Sequence, residues 1–64
     1  MKQEDAKHQI ILLWSKRDRD KLTQLDILGF YGYLEQNRPD LLNFKFSGDK
    51  YQIIKTWLNP YVVE

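Results

Sequence analysis

Apolar positions recur near the start of the chain at helical spacing. Ala6, Ile10, Leu13, Trp14 and Arg17 stand at i, i+4, i+7, i+8 and i+11, and Ile11 and Leu12 widen the stripe. That period predicts a helix over residues 4–19 with one face turned inward. Glu4 and Asp5 near its start, and Lys16, Arg17 and Arg19 near its end, both complement the helix dipole.

A second helix has a clearer start. Thr23 is a natural N-cap, and Asp26 three residues later supplies the return carboxylate of a capping box, with Asp in place of the usual Glu. Leu22 before the cap and Ile27 after it have the spacing of a hydrophobic staple. The helix should cover residues 24–36 and end at Asn37-Arg38-Pro39, because a residue before proline avoids the helical region. Ile27, Phe30, Tyr31 and Leu34 form its core face.

Pro39 at a first helical position predicts a short turn near residues 39–43. Phe44-Lys45-Phe46 alternates and reads as extended. Ser47-Gly48-Asp49 offers caps for a third helix, with Asp49 and Gln52 the most regular pair. Tyr51, Ile53, Ile54, Trp57 and Leu58 give that helix one broad apolar face, and it must stop near Asn59 because Pro60 cannot continue it. Tyr61-Val62-Val63 should pack back onto the bundle. One short alternating segment has no strand to pair with. The expected fold is therefore all-α: a small three-helix bundle with a possible fourth helical turn, in a single domain over residues 1–64.

A length of 64 residues excludes a multi-domain enzyme. Aromatic residues make up 14% of the chain, enough bulk to let so short a sequence close a core without staples. Each is expected to be a core residue except Tyr33. There is no cysteine and a single histidine, so disulfides, thiolate metal sites and multi-histidine sites are excluded. No apolar run is long enough to span a membrane, and the early run over residues 10–14 is too short for a signal-peptide core. The expectation is a cytoplasmic protein with no membrane partner.

Catalytic constellations are missing as well. Asp5 and His8 share a helix face without a nucleophile, and Ser15 and Ser47 lack a positioned base. Asp18 and Asp20 lack the glycine and distal glutamate of a calcium loop, and Ser47-Gly48-Asp49-Lys50 is a cap and turn rather than a P-loop. The chain is read as a non-enzyme with no cofactor, no metal and no small-molecule substrate.

The outer side of the second helix is unusual. At about 100° per residue, Leu25, Gly29, Gly32 and Gln36 lie opposite the core, flanked by Leu28 and Tyr33, where a surface helix normally carries charge. An interior glycine costs about 1 kcal/mol against alanine. Three readings account for two of them. The face is covered inside the fold by the other helices, it is a self-association or partner surface, or it is a small-molecule notch. The best functional expectation is a small protein-interaction or assembly module using this face, with a protein partner or a second copy.

The alternative is a nucleic-acid-binding module. The net charge is only +1, low for such a role, and the run Lys16-Arg17-Asp18-Arg19-Asp20-Lys21 alternates in sign. Phosphate contacts would come from Lys16, Arg17, Arg19, Lys21 and Arg38, with Lys50, Gln52, Lys55 and Asn59 available on a third helix that would read the groove. A helix-turn-helix built on the second helix, the Asn37-Arg38 turn and the residue 39–44 turn fits poorly, because Leu41, Leu42 and Phe44 want a core. The nucleic-acid reading requires the cations to share one surface.

Overall fold

A computed structural model describes residues 2–63; Met1 and Glu64 lie outside the described residues. Three α-helices make the fold: α1 over Gln3–Ser15, α2 over Gln24–Asn37 and α3 over Lys50–Leu58. Short 3-10 turns occupy Arg19–Lys21, Pro39–Leu42 and Asn59–Tyr61, and no described residue is in a strand. The domain is a compact, elongated bundle of 31 × 21 × 17 Å.

Each helix contributes residues at helical spacing to one core. Ala6, Ile10 and Trp14 come from α1, Ile27, Phe30 and Leu34 from α2, and Ile54 and Leu58 from α3. Leu41 from the Pro39–Leu42 turn and Phe44 from the extended segment seal one end. No buried side-chain nitrogen or oxygen among the described residues lacks a partner. The backbone of α1 lies closest to α3 and to the Pro39–Leu42 turn. Toward α2 the gap is spanned by large side chains instead: Trp14 meets Phe30 edge-on, with ring centroids 5.3 Å apart.

The helix starts follow the expected chemistry. Thr23 and Asp26 form the reciprocal cap of α2. The Asp26 carboxylate accepts from the Thr23 backbone N–H at 3.2 Å and from its hydroxyl at 2.8 Å. Asp49 Oδ1 caps α3 by accepting from the Tyr51 N–H at 2.9 Å. The Thr23 bonds hold the Asp26 carboxyl below its ordinary pKa of 3.8. They favour the ionised form, so their stabilisation is complete above pH 3.8 and is lost as pH falls through the lowered value. Thr23→Ala should lower stability by about 1 kcal/mol near neutral pH, read from the denaturant midpoint, and its deficit should shrink in acid. A deficit that stays constant down to pH 2 would mean that the carboxylate is not the operative acceptor.

The end of α1 departs from expectation. The helix stops at Ser15, four residues before the predicted end at Arg19. Lys16 and Arg17 close it with backbone bonds to Leu13 and Trp14, at 3.3 and 3.1 Å, and Asp18 is extended. Beyond Trp14 the next inward positions are Arg17, Asp18 and Lys21, so no apolar residue rewards another helical turn. The cations thus lie beyond α1, on a cap and a turn, rather than in its last turn. Leu12, expected to widen the stripe, is exposed.

The C-terminal segment returns to this corner. Trp14 Nε1 donates to the Tyr61 carbonyl at 3.2 Å, and the Val63 N–H donates to the Leu22 carbonyl at 2.8 Å. Val62 packs on the core. Gln24 Nε2 donates to Asn59 Oδ1 at 3.3 Å, joining the start of α2 to the end of α3.

Candidate functional site

The outer face of α2 is not covered by the fold. Leu25 is 91% exposed and Leu28 65%. A Cβ placed on Gly29 or on Gly32 would meet nothing within 4 Å. The reading in which these glycines admit a close neighbour within the same chain is therefore corrected. Only one side of α2 is packed, because Phe30 leans toward α1 and Tyr31 toward Tyr51 of α3, 5.5 Å between centroids. With α1 and α3 both engaged at the inner side, no element remains to cover the outer one.

Around α2, Leu28, Gly32, Leu25, Gln36, Gly29 and Tyr33 follow one another over about 140° of arc without a charge. Glu35 and Asp26 bound the strip on its two edges. Tyr33 is 46% exposed and stacks on Phe30, centroids 6.2 Å apart and planes 16° apart. That contact fixes an amphipathic ring at the α1 edge of the face, the kind of anchor that dominates interface energetics.

Beside Tyr33 a cleft of about 240 Å³ opens between α1 and α2, lined by Leu13, Lys16, Arg17, Phe30 and Tyr33. Arg17 is its most constrained cation. Its guanidinium carbon lies 5.5 Å from the Trp14 ring centroid and 5.4 Å from that of Phe30. Its Nε donates to the Lys21 carbonyl at 3.2 Å. Leu13 and Phe30, both readable as core, were not recognisable as cleft walls from sequence. The available signal was the i,i+4 pair Leu13–Arg17 and the i,i+3 pair Phe30–Tyr33.

The remaining cations are not brought to one surface. Lys16, Arg17, Arg19 and Lys21 gather where α1 ends and α2 begins. Arg38 lies at the far end of α2 and forks onto Asp40, with both bonds at 3.2 Å. That pair raises the Arg38 pKa and lowers that of Asp40. Lys50 starts α3 at the same far end, bonded to the Leu42 carbonyl and 5.2 Å from the Phe44 ring centroid. Lys55 is exposed on α3 beside Gln52, Thr56 and Asn59. Of the groups weighed for catalysis, the Ser15 hydroxyl is spent on the Ile11 carbonyl at 2.9 Å, and His8 is exposed. No helix among the described residues is long and apolar enough to cross a membrane.

Comparisons with protein-family models, with curated proteins and with solved structures return no match.

Proposed function

We propose that this chain is a non-enzymatic, cytoplasmic protein-interaction module that docks a partner helix along the outer face of α2. The carrying observation is the exposure of Leu25 and Leu28 beside two glycines with open space above them. A helix laid across Gly29 and Gly32 approaches the α2 backbone closely, and Leu25, Leu28 and Tyr33 flank the crossing. Fully covering a leucine contributes roughly 1.5–3 kcal/mol, whereas association costs at least roughly 4 kcal/mol in lost freedom. The two leucines therefore need help from Tyr33 and its surroundings. The division of the cations between two ends of the bundle favours this reading over a nucleic-acid surface.

Site-specific photocrosslinking in the cells that make the chain tests it. A benzophenone amino acid replacing Gln36, on the face, should give an adduct of defined mass, whereas one replacing Gln52 on α3 should not. Leu28→Asp should abolish the Gln36 adduct while leaving the helical circular-dichroism spectrum unchanged. Absence of an adduct at Gln36, or an adduct indifferent to Leu28→Asp, would remove the basis of the proposal. The adduct mass separates a second copy from a different chain.

A further inference from the structure

We infer that the cleft between α1 and the Tyr33 edge of α2 is a carboxylate subsite, built for an acidic side chain flanked by apolar groups on the docked partner. The inference rests on the docking reading for the identity of its occupant. The chemistry of the cleft rests on its own walls.

Arg17 is half-buried and held by two restraints, the Trp14 and Phe30 rings and the Lys21 carbonyl bonded to Nε. Those restraints orient the guanidinium plane and occupy one donor. The terminal nitrogens have no acceptor among the described residues, and Arg17 forms no ion pair there. Asp26 feels Arg17 and Lys21 through space, but its carboxylate is committed to Thr23. An oriented guanidinium with free outer donors is the partner that a carboxylate takes in a two-point pair. Lys16 adds a second positive charge to the same cleft.

The other walls set the rest of the ligand. Leu13 and Tyr33 present apolar and aromatic surface over the buried Phe30 ring, so the carboxylate should arrive on a carbon skeleton that covers those two. A polyanion is less suited, because Asp18 and Asp20 alternate with the cations in the adjoining turn and would repel successive phosphates. Tyr33 belongs both to the cleft and to the outer face of α2, so one docked segment reaches both.

The test is an amide-resolved NMR titration of the full chain with 3-phenylpropionate, compared with the uncharged isostere 3-phenylpropionamide. The acid should shift the amides of residues 13, 16, 17, 30 and 33 with a Kd of roughly 1–10 mM, as expected for so small a ligand. The amide should bind at least about tenfold more weakly, since it lacks the charge-assisted pair. Arg17→Gln should weaken the acid by about the same factor, and Arg17→Lys should recover only part of the loss. If Arg17→Gln unfolds, the acid and amide comparison on the unaltered chain still decides the matter. Equal binding of acid and amide, or no shift in the cleft, overturns the subsite. So does a mixed-sequence DNA duplex that moves the same amides, reversibly with salt, while the acid does not. A cleft that fails while the Gln36 adduct stands leaves the docking face intact. A cleft that binds while the adduct is absent overturns the assignment of its occupant to a partner on α2.

Discussion

Trp14→Ala is expected to unfold most of the chain at room temperature. Trp14 is 0% exposed and is the largest of the fully buried side chains. It lies edge-on to Phe30, carries the Arg17 guanidinium over its ring, and donates Nε1 to the Tyr61 carbonyl. Truncating a buried aromatic to alanine costs about 3–5 kcal/mol. A domain of this size has a total stability of about 3–10 kcal/mol, at roughly 0.05–0.15 kcal/mol per residue. The loss therefore rivals the whole margin. Trp14 also spans the gap between α1 and α2, so its loss removes the ring contact that joins them. Far-UV circular dichroism with a guanidinium titration reads the outcome. A cooperative transition retained at an unchanged midpoint would show that the core closes without this residue.

The second large effect runs in the opposite direction. Gly29→Ala with Gly32→Ala should stabilise the isolated chain by roughly 1–2 kcal/mol, because both positions are inside α2 and a methyl group meets nothing within 4 Å. For a domain of this size that raises Tm by roughly 4–16 °C. The same two methyl groups fill the space a docked helix would use, so the Gln36 photoadduct should weaken or vanish in the more stable variant. Gly32→Leu should likewise leave the monomer folded while blocking association. A drop in Tm for the alanine pair would mean that something within the chain does approach α2 from outside.

Much of this architecture was legible in the residues. The Thr23–Asp26 cap and Pro39 bracket α2, which runs over Gln24–Asn37 and so ends one residue from the predicted limit. Asp49 marks α3 in the same way, and the turn after Pro39 forms as Pro39–Leu42. The end of α1 was not legible from Lys16, Arg17 and Arg19, because cations complement a helix dipole equally well from the last turn and from the cap beyond it. Helical periodicity alone could not settle the glycine face either. A wheel shows which residues lie opposite the core, but whether a neighbour covers them depends on how α1 and α3 are placed. The cleft was hidden for a related reason: Leu13 and Phe30 look like core positions in sequence, and only the separation of α1 from α2 opens a gap between them.

The return of residues 61–63 to the corner of Trp14 and Leu22 has a consequence for the timing of synthesis. The bond from Trp14 to the Tyr61 carbonyl joins positions 47 apart in sequence. On the ribosome, Trp14 and Arg17 emerge long before Tyr61 and Val63 are free to reach them. Until then the loop joining α1 to α2 lacks its clasp, and the Trp14 N–H bonds to water in place of the Tyr61 carbonyl. Local helices form and melt far faster than residues are added, so α1 and α2 fluctuate as marginal helices until the core closes on them. The corner of Trp14 and Leu22 is thereby closed only after residues 61–63 have emerged.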